Sequence, residues 1–220
     1  MSGSIEKMMA SAERLDQLGA ENGQHRLPRR PPSDWTPKYI LYSQYTFLAE
    51  GGELRFQSTT WAVKQTNVHR FIHDLATSGP SMLGDPLVYR PGVTPLDVFV
   101  EDPCWMVIEL DKAKDWQFRV GGPALTAKQD YGDDNWGLKH VPPEVKLNEL
   151  GELELLSDHG PGIDECRIAF FGVVRRGAYE HQQFNVHIQL GQGGYARRLE
   201  IMIDPDFPDI GGGFPPLFGP

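Results

Sequence analysis

Residues 183–190 alternate without a break: Phe184, Val186, Ile188 and Leu190 are apolar, and Gln183, Asn185, His187 and Gln189 between them are polar. A period of two places each set on one face of an extended strand, whereas the same order wound into a helix would scatter apolar residues around its whole surface. Residues 198–204 repeat the pattern, with Leu199, Ile201 and Ile203 set against Arg198, Glu200 and Met202, and residues 166–174 form an apolar run before them. Three such runs in succession predict half-buried antiparallel strands, with Val186 and Ile188 in a core and His187 on the opposite, polar face. Gly191-Gln192-Gly193-Gly194 then joins two strands as a hairpin turn, not as a phosphate-cradling loop, which would open a helix.

The rest of the chain reads the same way. Residues 39–48 and 54–63 are rich in Tyr, Phe, Thr, Trp and Val, and Gly51-Gly52 between them marks a hairpin. In the second of these strands Leu54 and Phe56 lie on one face but Trp61 and Val63 on the other, which predicts either a bulge near Ser58-Thr59 or burial of both faces. Further strands are predicted at 104–110 and 116–120, with residues 111–115 as a polar turn, and at 152–156. The segment Tyr131 to Gly137 reads as an aromatic and acidic loop.

Two helices are predicted. In residues 67–76 Val68, Phe71, Ile72 and Leu75 share a face, and Gly79 is placed to stop the helix. Near the N-terminus Ile5, Met8, Met9, Ala12, Leu15 and Leu18 form an amphipathic stripe between Ser4 as cap and Gly19 as stop. The 24 Gly and 18 Pro in 220 residues favour many short elements joined by turns. The fold class expected is therefore mostly β: an antiparallel β-sandwich, Greek-key or barrel-like, with an N-terminal amphipathic helix and one short helix at 67–76. The divisions are a helical arm over 1–20, a Pro/Arg-rich linker over 21–38, the sandwich over 39–210 and a Gly/Pro-rich tail over 211–220.

A net charge of −9 argues against nucleic acid as the main partner, because binding phosphate backbones needs clustered Lys and Arg. No stretch approaches the ~20 apolar residues needed to span a bilayer, so no membrane is expected. Cys104 and Cys166 are expected as reduced, buried thiols in a cytoplasmic protein.

Side chains that could carry chemistry are scattered. His69 and His73 stand four apart on one face of the predicted helix, the spacing of a two-His metal site, but Arg70 occupies the place where a zinc protease needs its glutamate. Asp204, Asp206 and Asp209 could supply oxygens to a calcium ion, although Pro205 and Pro208 account for the same stretch as a rigid turn. Tyr131, Asp133, Asp134 and Trp136 combine aromatic faces with carboxylates, as a sugar or partner surface would. Ser157-Asp158-His159 holds triad residue types side by side, where their side chains diverge. No catalytic residue is assigned and no cofactor is required. The expected protein is a soluble, non-catalytic binding or self-assembling sandwich, a homo-oligomer through its N-terminal helix. The alternative is a metal-dependent enzyme or a carbohydrate- or small-ligand-binding domain, with Ca2+ or Zn2+ in a loop site of carboxylates and histidines.

Overall fold

A computed structural model describes residues 26–27, 29–50, 53–87, 100–127, 135–156, 166–174, 182–190, 199–203 and 206–207. The expected N-terminal helix and the 211–220 tail lie outside the described residues, as do Tyr131, Asp133, Asp134, Asp204 and Asp209.

Ten strands and one α-helix are present among the described residues. A five-stranded sheet has the order β2-β1-β3-β7-β6, formed by β1 (Tyr39–Glu50), β2 (Glu53–Val63), β3 (Cys104–Leu110), β6 (Asn135–Val141) and β7 (Ile168–Val173). A second sheet is centred on β8 (Gln182–Leu190), which pairs with β4 (Trp116–Phe118), β5 (Leu125–Ala127), β9 (Leu199–Ile203) and β10 (Asp206–Phe207). The mostly-β class and the two facing sheets agree with the expectation. One pairing departs from it: β1 and β3 run parallel, with Tyr42 opposite Val107 and Gln44 opposite Glu109. The long connection from β2 to β3 contains helix α1 (Val68–Ser78), which supplies the crossover a parallel pair requires.

Both faces of the five-stranded sheet are covered. On one side Leu41, Tyr45, Met106, Ile108 and Phe171 meet Trp116, Phe118, Phe184, Val186 and Ile188 of the second sheet in a shared core. On the other, Ile40, Tyr42, Val107 and Phe170 pack under Val68, Phe71, Ile72 and Leu75 of α1. The helix begins where the Asn67 side chain accepts from Arg70 N–H at 3.1 Å, and it ends at Gly79, whose φ of 71° is open to glycine and whose N–H donates to the Leu75 carbonyl.

Covering both faces also explains β2. Its pairing with β1 runs unbroken from Ile40 opposite Val63 to Glu50 opposite Glu53, so the expected bulge is absent. Phe56 and Ala62 pack toward the second sheet while Trp61 and Val63 pack toward the helix. In β8 the register is as expected, with Val186 and Ile188 in the core. The polar face is not open to solvent, however: Asn185, His187 and Gln189 are buried too, beside Gln117 and Thr126, and His187 Nε2 lies 2.8 Å from Thr126 Oγ1. The segment expected as a strand at 152–156 makes only isolated bridges, His140 with Leu156 and Leu147 with Leu153.

Trp136 belongs to a strand rather than to the expected loop. Gly137, at φ 69°, lies in a bulge where the β6–β7 register shifts between Trp136 and Lys139. The bulge lays the Trp136 indole over Gly172, against Trp105 and Trp35 at centroid distances of 5.2 and 4.7 Å. Trp35 Nε1 donates to the Val173 carbonyl at 3.0 Å, and Leu27 packs against the core between the sheets. The described part of the expected linker is thus a strap held to the body.

A Cβ on Gly172 would sit 2.2 Å from Trp136 Nε1, in a ring already wedged between two others. Gly172→Ala should therefore destabilise the protein by about 1–3 kcal/mol in chemical denaturation, with a smaller cost in a Trp136→Ala background. Equal costs in both backgrounds would exclude the clash. Cys104 and Cys166 are free and buried, and burial pushes the Cys166 thiol up to about 12. A thiol reagent should label neither in the native protein and two per chain after unfolding, and rapid native labelling would contradict that burial.

Candidate functional site

Strand β3 is apolar except for Glu109, which is 3% exposed on the face that carries α1. A buried carboxylate needs partners, and the parallel pairing with β1 provides the first. Tyr42 Oη donates to Glu109 Oε2 at 2.5 Å. Burial, and then the charge and hydrogen bond of Glu109, raise the Tyr42 hydroxyl far above the usual phenol range, so Tyr42 remains a donor at any working pH. The second partner is Lys112, whose Nζ lies 3.3 Å from Glu109 Oε1.

Lys112 sits in the turn between β3 and β4, and that turn is pinned on every side. Asp111 Oδ2 accepts from Thr46 Oγ1 at 2.9 Å and Asp111 Oδ1 accepts from Ala113 N–H at 2.9 Å. The Asp111 carbonyl accepts from Trp116 Nε1 at 2.9 Å. Arg167, just before β7, donates from Nη1 to the Lys112 carbonyl at 3.0 Å. Lys112 and Arg167 together line a cleft of about 480 Å3 whose apolar side is built by Val141, Pro142, Val145 and Ile168. Ile168 is the register partner of Glu109, so the buried carboxylate stands beside a residue of the cleft wall. The remaining rim includes Thr77 at the end of α1 and Glu144, which is paired with Lys146 at 3.0 Å. An apolar side with two cationic side chains at the rim suits a ligand that is flat or apolar at one end and anionic at the other.

Residues 43–212, well over half of the chain, match the model of pNTSase1, a family described as a predicted novel nucleotide synthetase. The chain belongs to the pNTSase1 family. No curated protein matches the sequence. The matched span contains Glu109, Lys112, Arg167 and the apolar wall of the cleft. Membership overturns the non-catalytic binding or self-assembling reading, which rested on the tethered N-terminal helix and the lack of a catalytic motif, because the family's description is that of a predicted enzyme.

Of the residues singled out from sequence, those among the described residues do not gather at this cleft. His69 turns its Nδ1 to accept from Leu153 N–H at 3.1 Å and its ring against Phe170, which makes it a bond between the helix and the 145–155 segment. His73 Nδ1 lies 3.5 Å from Asp74 of its own helix. Among the described residues no three His, Cys, Asp or Glu side chains come together as metal ligands. Trp136 is packed in the aromatic cluster, and Asp206 lies in β10, across the second sheet. The cleft residues were missed because Lys112 belonged to an ordinary polar turn and Arg167 to a strand run. The available signal was Glu109, a charge inside a strand that is otherwise apolar on both faces.

Burial lowers the His69 pKa from 6.5, so the fold favours its neutral form. Well above pH 6.5 the ring is neutral folded or unfolded and contributes nothing pH-dependent. As pH falls through 6.5 the unfolded chain takes up a proton that the folded chain resists, and stability drops until the folded pKa is passed. In denaturation curves, the stability difference between wild type and His69→Asn should shrink as pH is lowered through this window, and a pH-independent difference would rule the assignment out.

Proposed function

We propose that this pNTSase1 protein is an enzyme of nucleotide synthesis whose phosphate-bearing substrate occupies the cleft, with Lys112 and Arg167 at the phosphate end and the base or sugar against Val141, Pro142, Val145 and Ile168. The observation that carries the reading is the convergence of both cations on one cleft within the residues matched to the family. Nucleotide-forming reactions shift charge onto phosphoryl oxygens, and fixed cations stabilise that charge without reorganising. The Arg167 guanidinium is anchored through the Lys112 carbonyl, and its remaining N–H groups have the fork geometry that phosphate accepts. With a net charge of −9 the protein as a whole repels anions, so recognition depends on these local groups. Among the described residues no helix is long and apolar enough to cross a membrane.

The test is calorimetric binding of nucleoside triphosphates with Mg2+, followed by mass spectrometry of the products from mixed-nucleotide incubations. Wild type should bind at least one triphosphate, and Lys112→Ala or Arg167→Ala should weaken it about tenfold, the scale of one charge-assisted contact. Binding that neither substitution changes would place the substrate elsewhere.

A further inference from the structure

Resting on the phosphate-binding reading of the cleft, we infer that Glu109, oriented by Tyr42, is a positioning residue that holds the Lys112 ammonium at the cleft. The two oxygens of this carboxylate face in different directions. Oε2 takes the Tyr42 hydroxyl inside the sheet, and Oε1 takes Lys112, whose side chain is 61% exposed. A carboxylate serving packing alone would be expected to finish its second bond inside the core, where Gln44 is its register partner and Thr46 stands two residues further along the same strand. Thr46 is instead committed to Asp111, and the second oxygen of Glu109 reaches out to a cation that lines the cleft.

The consequence is preorganisation. Lys112 carries a flexible four-carbon stem, and ordering it on binding would cost entropy. Its backbone is already fixed by the Asp111 and Arg167 contacts, and the Glu109 bond fixes the far end. Because Glu109 is buried and tied to Tyr42, it cannot swing into solvent with the lysine, so the ammonium is anchored to the sheet. A phosphate arriving at the cleft meets a charged donor already in place. The Tyr42–Glu109 contact joins residues 67 apart in sequence, and it exists because β1 and β3 are parallel neighbours.

Amine labelling of Lys112 in the full-length chain, mapped by peptide mass spectrometry and referenced to Lys114 in the same digest, reads the pair directly. Glu109→Gln keeps the size and an acceptor for Tyr42 but removes the charge that holds the Lys112 nitrogen at 3.3 Å, so the freed side chain should be labelled about threefold faster or more. Affinity for inorganic tripolyphosphate should fall by a similar factor, while Lys112→Arg, which keeps a cation there, should retain it. If Glu109→Gln does not fold, the double variant Tyr42→Phe/Glu109→Leu replaces the buried pair with apolar groups of similar volume and should raise the labelling in the same way. Unchanged Lys112 labelling in the folded variant overturns the positioning role even where tripolyphosphate binds. Failure of wild type to bind tripolyphosphate, with labelling still raised in the variant, leaves the positioning of Lys112 standing and overturns the phosphate reading of the cleft.

Discussion

The five-stranded sheet is buried on both faces, with the second sheet against one and helix α1 against the other, and this double cover governs what each of its strands can contain. A strand with one wet face can alternate freely, but a strand inside two cores must be apolar throughout or must partner every polar group it carries. Ser43 meets that demand by bonding Thr60 at 2.6 Å on the neighbouring strand. Glu109 meets it with Tyr42 and Lys112. The polar chemistry of the sheet is therefore sparse, and it reaches solvent where a strand ends, at the turn after β3.

Aromatic packing closes the opposite end of the same face. Trp35 meets Trp105 and Trp136 edge to face, the arrangement that ring quadrupoles favour, while Trp105 and Trp136 are tilted against each other, and the cluster requires a strand position with no side chain. Gly172 provides it, and the bulge at Gly137 turns Trp136 into the space.

Much of this was legible in the residues. The alternation in β8 fixed which side chains share a face, and the spacing of Val68, Phe71, Ile72 and Leu75 located α1 with its Asn67 and Gly79 boundaries. Where the alternation misled was in equating a polar face with water: Asn185, His187 and Gln189 are buried, and polarity alone does not report what lies above a sheet. Strand β6 was illegible because Gly137 resembles a loop glycine until the bulge it serves is seen. The parallel pairing of β1 with β3 was hidden as well, since register between strands sixty residues apart leaves no local trace.

That hidden pairing is also why the candidate site could not be read in advance. Motif reasoning detects chemistry carried on one short segment, as in a phosphate loop or a pair of histidines on a helix. Here Tyr42 comes from β1, Glu109 from the end of β3 and Lys112 from the turn after it, Arg167 from the approach to β7, and Val141 and Val145 from the exit of β6. Each is unremarkable in its own stretch. They converge because the strand order β1-β3-β7-β6 sets these segments side by side, so the ends of neighbouring strands open on one cleft. In a sheet buried on both faces the strand ends are where polar groups meet solvent at low cost, and a charge inside an apolar strand, close to its end, marks such a place. Glu109 in Cys104–Leu110 is that kind of marker: the residue whose burial demands an explanation is the one that leads to the cleft.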